Sequence, residues 1–158
     1  MLKISGLILI LFFCSYAGVS FYKTTIYRVG YIADIIEGLR FMRKELEFSE
    51  GLLEDVLAAA SEYSGKSKNL FMNCAVDFKN CKKNIENENV SPETKTICKK
   101  FFGQIGKSNL ENELNLIDVT IGQLEALYSQ EKAYSEKNGK LIAKTGVLMG
   151  LLLFVLLL

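Results

Sequence analysis

Charge is distributed along this chain in a way that leaves few folds open: both ends are apolar, and nearly every charge lies between them. Ile4 to Tyr22 runs 19 residues without a charge, and Thr145 to Leu158 runs 14 more. The stretch from Lys23 to Lys144 holds 18 of the 19 basic residues and all 18 acidic ones. Unpaired charge is costly in hydrocarbon, so this is the layout of a chain held in a membrane at both ends. The middle carries a formal charge of zero, which gives it no electrostatic attraction for nucleic acid or for acidic substrates.

At a rise of 1.5 Å per residue the first run spans roughly 28 Å as a helix, close to the hydrocarbon thickness of a bilayer. Lys3 precedes it, and Tyr22 with Lys23 marks its exit as an interfacial pair. The rival reading is a cleaved signal peptide, with Ser15-Tyr16-Ala17 as the small-residue cleavage site. The apolar stretch continues past Ala17 without a proline, which favours a retained anchor. Cys14 follows bulky Phe12 and Phe13, so it does not read as a lipoprotein cysteine. The second run reaches roughly 21 Å from Thr145, or roughly 27 Å from Leu141 if Lys144 snorkels its amine to the surface. The chain therefore divides into an N-terminal transmembrane anchor over residues 1–23, a helical domain over 24–140 and a C-terminal transmembrane helix over 141–158. Basic residues near the spans lie mostly on the central side (Lys23, Arg28, Lys132, Lys137, Lys140 and Lys144), which orients the centre to the cytoplasm. Gly146 with Gly150, and Cys14 with Gly18, are small-xxx-small pairs where another membrane helix could approach closely.

The middle reads as all-α. Valine and threonine runs are few, there is one proline, and Asn138-Gly139 has no alternating segment beside it to make a hairpin. Helical spacing instead recurs along its length, giving a bundle of about five to six helices. Val29, Ile32, Ile36, Leu39, Met42 and Leu46 share one face of a long first helix. Ser49 is placed to cap a second, with Leu52, Leu53, Val56, Leu57 and Ala60 inward and Gly65 as its stop. Leu70, Phe71, Cys74, Phe78 and Cys81 mark a third, and the polar stretch Lys82–Asn89 is a loop candidate. Ser91-Pro92 opens a fourth, with serine as cap and proline at the first helical position. Its inward residues are Ile97, Cys98, Phe101, Phe102 and Ile105, and Gly106 ends it. Ser108-Asn109-Leu110-Glu111 has the spacing of a capping box for the last helix. From there Leu110, Leu114, Ile117, Ile121, Leu124 and Tyr128 form a seam with steps of three and four. That helix can continue into the membrane, with Gly139 and Gly146 as soft points.

No motif asks for chemistry. Gly65-Lys66-Ser67 and Gly106-Lys107-Ser108 are spelled like the end of a phosphate loop, but the required earlier glycine is replaced by Ala60 and Phe101 and no strand precedes either. The chain has no histidine, and its lysines and cysteines lack an activating context, so neither a catalytic residue nor a metal or cofactor site is expected. Cys74, Cys81 and Cys98 fall on apolar helix positions and read as reduced core residues. Acidic residues interleaved with lysines read as solvated faces with weak local pairs. Lys82-Lys83 and Lys99-Lys100 lack interleaved aromatics, which argues against nucleic acid. No small-molecule substrate is expected either.

Several stretches together resemble the stage III sporulation protein AB family along the whole chain. They are the opening Met1-Leu2-Lys3 before an apolar anchor, Phe102-Gly103-Gln104-Ile105-Gly106-Lys107-Ser108, Lys137-Asn138-Gly139-Lys140-Leu141, and Thr145-Gly146-Val147-Leu148-Met149-Gly150 before an aliphatic tail. Asn109 stands where the family pattern usually has aspartate, which keeps a cap but removes a charge at the helix start. The resemblance implies a cytoplasmic helical domain similar to those of inner-membrane platform proteins of type II secretion and type IV pilus machines. It further implies a place in the channel between mother cell and forespore, in the mother-cell membrane around the forespore. Docking to a secretion-type ATPase and to other channel subunits is implied with it.

The expected function is thus a non-enzymatic membrane platform that recruits a secretion-type ATPase. The alternative is a dimeric membrane-anchored helical sensor or signalling module, and the least favoured is a membrane enzyme using acidic residues with a metal. The candidate interaction surface is the turn Gly106, Lys107, Ser108, Asn109 and Glu111, together with the Lys82–Asn89 stretch, because connections can offer binding groups without disturbing a core.

Overall fold

The computed structural model describes residues 2–48 and 52–157. Among the described residues there is no strand; the elements are α1 (Leu2–Phe48), α2 (Leu53–Tyr63), α3 (Lys68–Val76), α4 (Cys81–Asn87), α5 (Pro92–Gln104), α6 (Leu110–Tyr134) and α7 (Lys140–Leu157). Single 3₁₀ turns at Gly65–Ser67 and Phe78–Asn80 lead into α3 and α4, and a π-helical turn at Ser135–Gly139 joins α6 to α7. The all-helical expectation holds. The chain groups into two compact units, one of Met1–Val29 with Gln130–Leu158 and one of Gly30–Ser129. Both apolar runs thus fall in the end unit, and the packed core falls in the central unit.

In the end unit, three threonine hydroxyls of α1 and α7 are satisfied inside their own helices. Thr24 and Thr25 donate to the carbonyls of Ser20 and Phe21 at 3.0 Å, and Thr145 donates to Leu141 at 2.8 Å. Such back-bonding to the preceding turn leaves the hydroxyl in need of no outside partner. The π turn ends at Gly139, one of the two soft points expected from the sequence. Among the described residues no helix is long and apolar enough to cross a membrane. The two expected anchors fall largely on residues whose side chains lie outside the described set.

In the central unit α1 and α6 run antiparallel. Arg40 on α1 reaches Glu125 on α6 at 2.6 Å, and Arg43, three residues on, reaches Asp118 at 2.6 Å. Glu37 and Glu47 complete each arginine from within α1. Half-exposed ion pairs add little stability singly, so their main effect is to set the register of the two helices. The acidic residues expected to make only local pairs therefore also work across helices.

The core confirms most of the expected faces. Ile32, Ile36, Leu39 and Met42 are buried on α1, Val56, Leu57 and Ala60 on α2, Leu70, Phe71 and Cys74 on α3, and Cys98, Phe101 and Phe102 on α5. Phe102 meets Phe71 and Phe101 edge to face at 6.0 and 5.0 Å, the favoured geometry for aromatic rings. Ser91 caps α5 as expected, accepting from the Thr94 amide with Pro92 in the first turn.

Four expectations are corrected. Leu52 is 73% exposed rather than inward, because it sits at the N-cap position, before the helical period begins. The Ser49 cap lies outside the described residues. Lys82–Asn89 is mostly helix α4, not a loop: Cys81 and Ile85 stand one turn apart and are both buried, and that single apolar pair orders the polar residues between them. Lys99 fastens α4 from outside, bonding to Glu86, while Lys95 donates to the Glu86 carbonyl at 2.7 Å. Cys74 and Cys81 are not reduced core residues but form a disulfide across the α3–α4 connection, with Cα atoms 4.8 Å apart, inside the ordinary disulfide range. Cys98 is buried and free, as expected. On α6 the seam is shifted: Ile117 and Leu124 are buried, but Leu110 is exposed, and the inward positions a turn either side of Ile117 are Glu113 and Thr120.

Candidate functional site

The turn between α5 and α6 is where the sequence placed its candidate interaction residues. Helix α5 ends at Gln104, and Gly106 turns the chain with φ +81°, a conformation in which a Cβ is strained. A side chain there would also meet Leu53 Cδ2 at 2.8 Å. The three amides after the turn, those of Gly106, Lys107 and Ser108, converge on the Glu113 carboxylate at 3.0, 3.0 and 2.8 Å. Glu113 is only 8% exposed, so its charge is taken out of water and answered by backbone donors, as a buried carboxylate requires.

This corrects the capping box. The Ser108 amide is committed to Glu113, and α6 begins one residue later than the box requires. Asn109 is the cap: its Oδ1 accepts from the Asn112 amide at 3.2 Å, and its carbonyl accepts from the Glu113 amide at 3.0 Å. Glu111 is exposed in the first turn of α6, where a carboxylate favours the helix dipole. Lys107 sends its Nζ back to the Gly103 carbonyl at the end of α5.

The other Gly-Lys-Ser triplet is built alike. Gly65 has φ +44°, and the Lys66 amide donates to Asp34 Oδ2 at 2.7 Å, 32 residues away on α1. Ser67 Oγ donates to the Ser64 carbonyl, and both serines are fully buried. In each triplet, amides that a phosphate would need are already held by a carboxylate of the chain. The geometry is that of a filled nest, which locks a turn.

Beside the α5–α6 turn lies an open groove of about 440 Å³. Gly103 and Gln104 of α5, Lys107 and Ser108 of the turn, and Asn112, Asn115, Leu116 and Val119 of α6 line it. The α6 residues are spaced three and four apart and so form one stripe. Val119 is 50% exposed on that stripe. Lys82 of α4 overhangs the groove end: a Cβ on Gly103 would lie 3.1 Å from Lys82 Cε and 3.3 Å from its Nζ.

Of the candidate residues, Gly106, Lys107, Ser108 and Asn109 come together in this turn, and Glu111 stands apart on the surface of α6. Lys82, from the Lys82–Asn89 stretch also singled out in the sequence, reaches the same groove, whereas Glu113, Asp34 and Gln104 were not legible as partners. Glu113 is spelled as one more surface acid, and its one signal is its place at the start of a helix after a glycine stop. Of the small residues proposed for membrane helix packing, Gly18 is buried in α1, while the surroundings of Cys14, Gly146 and Gly150 lie outside the described residues.

Compared with known families, residues 3–158 match stage III sporulation protein AB. The match spans almost the entire sequence, so the chain belongs to that family. No curated protein and no solved structure matches it.

Proposed function

We propose that this member of the stage III sporulation protein AB family, a sporulation protein by that membership, is a non-enzymatic membrane platform. In this reading the charged central unit faces the cytoplasm and recruits a secretion-type ATPase and other subunits of the channel between mother cell and forespore. The observation that carries the reading is the sharing of helices: α1 and α6 both give buried residues to the core of the central unit, and α1 runs on from the apolar N-terminal stretch while α6 leads through the π turn into α7. An ATPase can pass a shape change only to something fixed, and a densely packed helical unit transmits strain rather than absorbing it. The apolar runs Ile4–Tyr22 and Thr145–Leu158 have the composition of membrane anchors.

The sensor reading needs the α6 seam free to pair with a second chain. Ile117 and Leu124 instead lie fully buried within their own unit, which favours the platform. The test is recruitment: the full chain is reconstituted into liposomes, and the purified sporulation ATPase is floated with them. The platform reading expects the ATPase to rise with vesicles that carry the chain and to stay behind with empty ones. Equal flotation with both, or with neither, would end it.

A further inference from the structure

We propose that the groove between α5 and α6 is the docking site for an acidic amphipathic helix of a partner protein. The inference rests on the platform reading in requiring a protein partner, and it adds the surface used and the chemistry recognised.

The two walls of the groove differ in character. On the α5 side it is cationic: Lys107 lines it, Lys82 overhangs it at Gly103, and Lys100 is exposed one turn before Gln104. No carboxylate is among its lining residues. Of the nearby acids of α6, Glu113 is engaged with the turn amides and Asp118 with Arg43, while Glu111 is exposed at the end of the stripe, one turn before Asn115. On the α6 side the wall is uncharged, with Asn112 and Asn115 as amide donors and acceptors and Leu116 and Val119 as apolar floor. This stripe continues to Gly122, which has open space where a Cβ would stand. From Asn112 to Gly122 it extends roughly 15 Å, three turns of a helix laid alongside.

A cationic wall facing an apolar and amide wall fits a segment with carboxylates on one edge and aliphatic residues on the other. Helix-in-groove recognition reads its ligand in this way, with anchors at helical spacing. Gly122 leaves the backbone of the α6 wall approachable, while Gly103 on the α5 wall is covered by the Lys82 and Lys107 side chains. The filled nest keeps the turn rigid, so the groove is formed before the partner arrives and little ordering is needed on this side.

The test places a photoactivatable phenylalanine analogue at Val119 of the full chain in sporulating cells, and identifies the crosslinked peptide by mass spectrometry. The expected adduct is a partner segment rich in Asp and Glu with aliphatic residues at helical spacing. Combining Lys82→Glu with Lys107→Glu should cut its yield roughly tenfold, as reversal of paired charges at an interface does. The milder Lys82→Gln with Lys107→Gln, at two exposed positions, should cut it less. An adduct to a neutral or basic segment, to a second copy of this chain or to lipid would overturn the proposal. So would no adduct, or a yield indifferent to the lysines. The ATPase flotation assay, run on the same variants, separates this outcome from the platform reading. Retained flotation with a silent groove defeats the groove alone, whereas flotation absent from the unmodified chain defeats the platform.

Discussion

Glu113 shows how much one side chain decides here. It accepts three backbone donors while buried, so truncating it strands those amides as well as removing the charge. Glu113→Ala should therefore cost roughly 2–4 kcal/mol. Glu111→Ala, at the exposed carboxylate that the capping-box spacing singles out, should cost no more than about 0.5 kcal/mol. Urea unfolding of the two variants compares them directly, and equal losses would restore the capping box. Cys98 offers a second residue-scale check. Burial alone pushes its thiol up from 9.0 to about 12. With the folded value above the unfolded one, its contribution to stability is complete below pH 9 and is lost as pH rises toward 12. Cys98→Ala should flatten the decline in stability across that window, and the native thiol should resist alkylation at neutral pH until the protein unfolds.

At the scale of elements, the sequence reveals a helix wherever an apolar face repeats over several turns, as on α1, α2 and α5. It conceals two kinds of feature. Short helices such as α4 hang on one buried pair, Cys81 and Ile85, too little for a period to show among lysines, asparagines and glutamates. Long-range closures are also silent, because nothing local ties Asp34 to Lys66 or Glu113 to a turn amide. The seam of α6 is displaced for the second reason: a periodic reading assigns Leu114 inward and Glu113 outward, and the turn amides reverse this. Ile117→Ala, at a fully buried position, should cost roughly 2–5 kcal/mol. Leu114→Ala, only half-buried, should cost about 1 kcal/mol or less. Thermal unfolding of both variants gives the comparison, and a Leu114 loss as large as that of Ile117 would put the seam back where the periodicity drew it.

For the whole molecule, the division into a charged helical core and a unit holding both apolar ends is what makes a platform reading physically sensible. Two features bear on which side of the membrane that core faces. The basic residues flanking the apolar runs favour the cytoplasmic side under the positive-inside rule, whereas a Cys74–Cys81 disulfide is a bond more at home in an oxidising compartment. In a reducing cytoplasm the pair would return to two thiols by exchange, still within a core held by α4 and α5. Recruitment of a cytoplasmic ATPase requires the central unit to lie on the cytoplasmic side. The direct measurement is labelling of Lys68→Cys, at an exposed position opening α3, by a membrane-impermeant thiol reagent in intact sporulating cells. The parent chain, labelled in parallel, serves as the blank. The platform account predicts no labelling above the blank until the membrane is permeabilised, and ready labelling afterwards. Equal labelling before and after would place the central unit outside the cytoplasm and contradict the account.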